Sequence, residues 1–413
     1  MTLNILWLKS GPLHPIDTGG KIRTYQMLRE LNRLHPVTYA ALWPEGLDQS
    51  TRPLASEYST AQHWIDWRET PKGTAAFYAE LAGNLFSGLP YAIAKYQSAG
   101  MASLVRQLDQ SGRFDLIISD FLLPSVHLFA DGYRPATKSL LFQHNVESLI
   151  WKRTFETAGS ALKRAYFRMQ WQRMEAFERA SCARYDGVVG VSDEDCDLMR
   201  KEFGLTNVLG SVPTGVDVDY FKPAATAKKP NSIMFLGSMD WQPNVDGAGW
   251  FAEEIWPLIK QEIPGVTLSI VGRKPVAKIQ ELGARDASIR VTGTVPDVRP
   301  HLAESELMIV PLRVGGGTRI KIYEAMAAGV PVVSTRIGAE GLAVTDGEDI
   351  ALADEPAAFA GRVVELLKNH EMRRRMGERA RDLVCRNFSW PSVVKVFDGY
   401  CQALCGAREG VLP

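Results

Sequence analysis

Cysteine is scarce in this chain and poorly placed for chemistry. The five cysteines among 413 residues are Cys182, Cys196, Cys385, Cys401 and Cys405. They form no C-x-x-C pair and no zinc spacing, so they read as buried free thiols of a reduced, cytoplasmic protein. Net charge is lacking too: 47 Lys and Arg balance 47 Asp and Glu, which gives no support for a nucleic-acid partner. No apolar run approaches the roughly 18 residues needed to span a bilayer. The start, Met1 to Lys9, has neither a basic leader nor an apolar run long enough for a signal peptide. What remains is ordinary for a globular chain, 46% hydrophobic and 23% charged, with length enough for two or three domains.

Short apolar strands alternate with helical segments along both halves, the mark of doubly wound parallel sheets. The first half offers strands at Leu3–Leu8, Val37–Leu42, His63–Trp67, Asp115–Ser119, Ser139–Phe142, Gly187–Val191 and Val208–Val212. A loop at Lys9–Gly20 should lead into a helix from about Lys21 to Leu34. The second half offers Ser232–Leu236, Thr267–Val271, Ile289–Thr292, Leu307–Leu312, Pro331–Thr335 and Ile350–Ala353. Between them, Pro213 to Asn231 carries three prolines and a small-residue run, a composition suited to a linker. Ser389-Trp-Pro-Ser392 reads as the start of a last helix. The expected domains are 1–212, with a helix at about 391–408 packing back on them, and 213–390.

The richest stretch is Pro311 to Gly329. An apolar strand runs into Gly315, Gly316 and Gly317, then Thr318 and a helix-forming segment. Consecutive glycines let a backbone approach a ligand and turn its N–H groups inward, and the helix that follows opens with unpaired donors. Arg319 and Lys321 add full charge to that first turn, which the helix dipole disfavours unless an anion is bound. Glu324, three residues after Lys321, can share its face. The segment reads as a diphosphate cradle with a carboxylate placed for a sugar hydroxyl. It is neither a Walker loop nor a G-x-G-x-x-G fingerprint.

Other polar features are plainer. Asp217-Val-Asp219 reads as a turn or cap rather than a metal site. His14, His127 and His301 share no ligand spacing. Trp151 to Arg184 is helical in pattern, basic and rich in aromatics. It suits a surface helix with its aromatics turned inward, or a face drawn to anionic lipid heads.

These landmarks together resemble retaining glycosyltransferases of the GT-B fold, family 4. The resemblance runs through Gly19-Gly20, Gln143-His-Asn-Val-Glu147 and Val188-Val-Gly-Val-Ser192 in the first half. In the second half it runs through Val212-Pro-Thr-Gly-Val-Asp-Val-Asp-Tyr-Phe221, Met234-Phe-Leu-Gly-Ser238, Leu268-Ser-Ile-Val-Gly272, Val291-Thr-Gly-Thr-Val295, the glycine segment and Pro331-Val-Val-Ser334. It implies an α/β chain of two Rossmann-like doubly wound domains facing across a cleft, 1–212 on the acceptor side and 213–390 for the nucleotide-sugar donor. The implied activity is metal-independent, retaining transfer of a hexose from a UDP- or GDP-sugar to a glycan or lipid-linked acceptor, with no cofactor. Implied catalytic residues are His144, Lys321 and Glu324. Implied donor contacts are Gly19, Gly20, Arg273, Thr294, Val295, Gly315, Gly316, Gly317, Thr318, Arg319, Lys321 and Glu324.

The pattern departs from the family where a frequent glutamate is replaced by Gly316, and where a frequent Arg and Lys are replaced by Ser238 and Asn244. The diphosphate load should then fall on Arg319 and Lys321. Two other readings are a nucleotide-sugar epimerase of the same architecture and a non-catalytic scaffold that binds nucleotide sugar. The expected setting is cytoplasmic, at the inner face of the membrane if residues 151–184 touch anionic lipid.

Overall fold

The computed structural model describes residues 1–314 and 319–406. The chain divides into two compact units, one formed by Met1–Pro213 with the chain from Val393 onward, the other by Thr214–Ser392. Among the described residues, the first unit holds seven strands: β1 (Ile5–Lys9), β2 (Val37–Pro44), β3 (Ala61–Trp67), β4 (Leu116–Asp120), β5 (Lys138–Phe142), β6 (Gly187–Gly190) and β7 (Val208–Ser211). They lie in the order β3-β2-β1-β4-β5-β6-β7. The second unit holds β8 (Ser232–Leu236), β9 (Thr267–Val271), β10 (Ile289–Gly293), β11 (Leu307–Val310), β12 (Val332–Ser334) and β13 (Ala351–Leu352), ordered β10-β9-β8-β11-β12-β13. Every pair of neighbours is parallel.

Within each unit helices connect successive strands, except β12 and β13, so both faces of each sheet are covered and the inner strands must be apolar throughout. β1, β4 and β8 are buried at every position. In each sheet the strand order reverses between two inner strands, β1 and β4 in the first, β8 and β11 in the second. A crevice opens at the carboxyl ends of such a pair. All five cysteines are free, three of them buried.

Two expectations change. Gly19 and Gly20 are not loop residues; they form the first turn of the Gly19–Leu34 helix. The basic segment is not one long helix but two, Glu147–Glu156 and Ala161–Cys182. Gly159 favours a break, and the Ser160 side chain accepts from the Lys163 N–H to cap the second helix. The aromatics face one another inside this hairpin: Phe155 stacks on Trp171 with centroids 5.7 Å apart, and Trp151 meets Phe167 at 6.4 Å. Lys152, Arg153, Lys163, Arg164 and Arg168 stay exposed.

One glycine pair fixes how closely β8 and β9 approach at their carboxyl ends. A Cβ on Gly272 would sit 1.6 Å from the Gly237 carbonyl oxygen, a backbone atom that no rotamer change can move. Gly272→Ala should therefore destabilise the second unit by ~3 kcal/mol or more. At about 2–4 °C per kcal/mol for a domain of this size, its melting transition should fall by ~6 °C or more in a calorimetric scan.

Candidate functional site

In the first unit, polar groups gather at the carboxyl ends of β1, β4 and β5, around one carboxylate. Asp120 ends β4 and is 1% exposed. Its Oδ2 accepts from Lys9 Nζ at 2.7 Å, Thr24 Oγ1 at 2.7 Å and Trp7 Nε1 at 3.2 Å. Thr24 accepts in turn from Lys9 at 2.8 Å. The other oxygen lies 2.7 Å from Nε2 of His144, one of the implied catalytic residues. Burial alone would raise the Asp120 pKa, but Lys9 and His144 hold it well below the usual carboxylate range.

Burial is the largest influence on the His144 imidazole and lowers its pKa to about 4, against the pull of Asp120. The ring is therefore neutral at pH 7. With an anionic oxygen 2.7 Å from Nε2, the proton belongs on that nitrogen, which leaves Nδ1 as an acceptor. The ring is clamped by Phe121, stacked at 3.9 Å and 10°, and by Phe142 at 4.4 Å. Phe121 takes φ 70, a strained value for an aromatic residue. A Cβ on Gly20 would come within 3.1 Å of its ring, so Gly20 makes room for that ring.

The segment carrying His144 is pinned on both sides by one acid. Glu178, fully buried on the Ala161–Cys182 helix, accepts from Gln143 Nε2 at 2.6 Å and from the backbone N–H groups of Glu147 at 2.7 Å and Ser148 at 2.9 Å. It thereby caps the Glu147–Glu156 helix. Its burial pushes its pKa up to about 7.

In the second unit, the expected donor residues converge at the carboxyl ends of β8–β11. Lys321 lies in the first turn of the Ile320–Ala327 helix, and Nζ donates to the Leu236 carbonyl at 2.8 Å and to Asn244 Oδ1 at 3.2 Å. Burial lowers its pKa to about 7, Arg319 adds to the effect, and Glu324 opposes it. Burial raises Glu324 to about 7, with Lys321 opposing. Arg319 precedes this helix, is buried, and lies over the Trp241 ring at 5.5 Å. Arg273 follows β9 and donates from Nε to Ser238 Oγ at 2.9 Å. Asn244 donates to the Ser238 carbonyl at 2.9 Å. Thr294 and Val295 follow β10, Thr294 exposed and Val295 partly packed on the core. Gly315, Gly316, Gly317 and Thr318 lie outside the described residues.

Ser238 and Asn244, where the family pattern has cations, are thus wired to Arg273 and Lys321. The Asp217 carboxylate accepts from the backbone N–H groups of Asp219 and Tyr220, the expected turn. Among the described residues no group of three or more His, Cys, Asp or Glu could hold a metal ion, and no helix is long and apolar enough to cross a membrane.

Residues 230–369 match the family model described as glycosyl transferases group 1. That match lies wholly within the second unit. A phosphatidyl-myo-inositol mannosyltransferase of Mycobacterium tuberculosis is 30% identical over 54% of this chain and 61% of its own length. A 44.6 kDa protein in the cps region of Klebsiella pneumoniae, itself uncharacterized, is 23% identical over 65% of this chain and 69% of its own. Among solved structures, Anabaena Alr3699/HepE in complex with UDP and glucose matches with a TM-score of 0.62 at 13% identity, over 97% of this chain and 100% of that one. At that identity the likeness shows the fold, two Rossmann-like units of the GT-B kind. The family match and the named relatives support a transferase and do not favour the epimerase or scaffold readings.

Asp120, Lys9 and Glu178 escaped the sequence reading. A charged residue ending each of two apolar strands was the available signal for Lys9 and Asp120; nothing local marks Glu178. Removing the carboxylate in Asp120→Ala leaves Lys9 buried without its counter-charge, and should cost ~3–5 kcal/mol in urea unfolding. Below pH 6.5 the unfolded chain binds a proton that native His144 refuses down to about pH 4. Wild-type stability should therefore fall across that window, and His144→Gln should flatten its slope.

Proposed function

We propose that the protein transfers a hexose from a nucleoside diphosphate sugar to a glycan or lipid-linked acceptor, with retention and without a metal. The observation that carries this reading is Lys321. It is a partly buried cation at a helix start, held by two neutral acceptors, with its pKa lowered to about 7. Such a group gains most from an incoming anion, because burial has already removed the water that would compete. Breaking a glycosidic bond leaves negative charge on the departing diphosphate. Lys321 and Arg319 stabilise it there, in place of a metal ion. Glu324 accepts from a ribose hydroxyl, and His144 accepts at Nδ1 from a hydroxyl of the sugar being transferred. The base and the sugar are narrowed by analogy alone: the matched HepE structure holds UDP and glucose, and the mycobacterial relative is named a mannosyltransferase.

A cytoplasmic setting beside an anionic membrane belongs to the same proposal. Lys152, Arg153, Lys163, Arg164 and Arg168 are exposed on the helical hairpin, and Leu162 at its tip is 84% exposed. Binding to anionic but not neutral vesicles at low salt is expected; equal partitioning would remove this part.

Lys321→Ala should lower transfer about 100- to 1000-fold. Binding of the diphosphate favours protonated Lys321. Affinity for UDP- or GDP-hexose should therefore fall as pH rises above about 7, and lose that slope in Lys321→Ala. Calorimetric titration across pH 6–9 reads both. Unchanged affinity in the variant would refute the site, loss of turnover in EDTA would refute metal independence, and an inverted anomeric signal in the product NMR spectrum would refute retention.

A further inference from the structure

A cavity of about 590 Å³ lies within the second unit, at the amino ends of β11 and β12. Glu306 and Pro331, the residues just before those strands, stand in its wall. Arg319 and Lys321 belong to the carboxyl ends of the same sheet, so the cavity is separate from them. The rest of its wall is the 223–228 segment, the turn after the Ile320–Ala327 helix and one face of the His370–Asn387 helix. That turn and that helix are in close contact: a Cβ on Gly377 would sit 2.5 Å from the Gly329 carbonyl oxygen. The volume lies within the ~300–1,000 Å³ range of small-molecule sites.

The charge around this cavity is unbalanced. Four cations line it, Lys228, Arg373, Arg374 and Arg381, against two acids, Glu306 and Glu378. Both acids are already engaged. Arg373, itself buried, donates to Glu306 at 2.6 Å and to the carbonyls of Leu366 and Leu367 at 2.8 and 2.9 Å. Glu306 also accepts from the Asn231 N–H at 2.9 Å. Arg374 donates to both oxygens of Glu378, at 2.6 and 2.8 Å.

Lys228 and Arg381 meet only backbone. Lys228 Nζ donates to the Ser305 carbonyl at 2.9 Å, and Arg381 Nη1 donates to the Ala327 carbonyl. Among the described residues neither forms an ion pair with a carboxylate. Desolvation and the Arg373 charge both lower the Lys228 pKa, with Glu306 opposing. The two carbonyls lie at the ends of the Arg299–Glu304 and Ile320–Ala327 helices. Holding them occupies one donor on each cation and does not account for surplus charge gathered around a cavity. An ammonium has three N–H donors and a guanidinium five, so both keep donors for a ligand.

The surplus of two positive charges matches one dianionic phosphate, to which Lys and Arg give short, charge-assisted hydrogen bonds. A smaller cavity of about 320 Å³ adjoins the first, sharing Pro223, Ala224, Ala303 and Ala328 with it, and offers room for the organic part of an ester. We infer that the cavity is a second anion site of the second unit, binding a phosphate monoester through Lys228 and Arg381. The inference goes beyond the transferase reading and does not depend on it.

The test is calorimetric titration of the full chain with inorganic phosphate, glycerol 3-phosphate and the 6-phosphates of glucose, mannose and fructose. A parallel arm measures co-sedimentation with vesicles containing phosphatidic acid, which presents the same phosphate as a lipid headgroup. Saturable binding of at least one ester, and none of its dephosphorylated parent, is expected. Affinity should fall about tenfold or more in Lys228→Glu, which removes a charge-assisted contact. Lys228 is exposed, so that variant keeps the fold. Arg381→Lys, which retains the charge, should cost less affinity than Arg381→Ala. In Lys321→Ala the affinity should stay within about threefold, because that residue lies at the other end of the sheet. Vesicle binding that is lost in Lys228→Glu, with no soluble ester bound, would support the site and make its ligand a lipid headgroup. Unchanged affinity in Lys228→Glu would overturn the assignment, as would its loss in Lys321→Ala, which moves the phosphate to the donor residues. Silence of every ester and of the vesicles would overturn it as well.

Discussion

A carboxylate removed from water must be surrounded by donors, and the site in the first unit is organised by that requirement. Asp120 cannot sit at the end of a wholly buried strand unless Lys9, Thr24 and Trp7 turn their hydrogens toward it. Lys9 ends β1, so the demand ties together the two strands at which the sheet reverses its order. Thr24 brings in the first helix, and His144 brings in the turn after β5. The imidazole tautomer follows from placing one negative charge there, while burial keeps the ring neutral at pH 7 against that charge.

The second unit solves the opposite problem. Lys321 is a cation at the corresponding reversal of strand order, and it leans on a carbonyl and an amide. The carboxylate that acts on it, Glu324, is itself drawn toward neutrality by burial. In one unit a buried charge is met by opposite charge; in the other it is met by a backbone carbonyl and a side-chain amide. The same α/β architecture thus carries a charge-paired carboxylate in one half and a cation held by neutral acceptors in the other. Electrostatic stabilisation of a leaving diphosphate asks for the second kind.

Much of this was legible in the sequence because parallel sheets covered on both faces write themselves as apolar runs. Every expected strand is present within a few residues. The cluster of Lys321, Glu324 and Arg319 was legible for a different reason, since its glycines, cations and carboxylate lie within ten residues. What was hidden depends on distance along the chain. Asp120 meets Lys9 across 111 residues, and Glu178 grips the His144 turn across about 30, so neither has a local signature. The basic segment misled because a helical pattern runs on either side of Gly159, and the meeting of Phe155 with Trp171 and of Trp151 with Phe167 shows the chain doubling back.

The last helix, Trp390–Gly406, begins among residues of the second unit and ends in the core of the first. Phe397 is fully buried there, 6.0 Å from Trp7 and 4.9 Å from Phe142, and Asp398 lies 2.7 Å from His35. During synthesis the first half of the chain therefore leaves the ribosome with an unfilled gap between its own β1 and β5. It waits in that state while some 180 residues of the other unit are made. The order of emergence and the order of completion are reversed: the unit that is made first is the last to close.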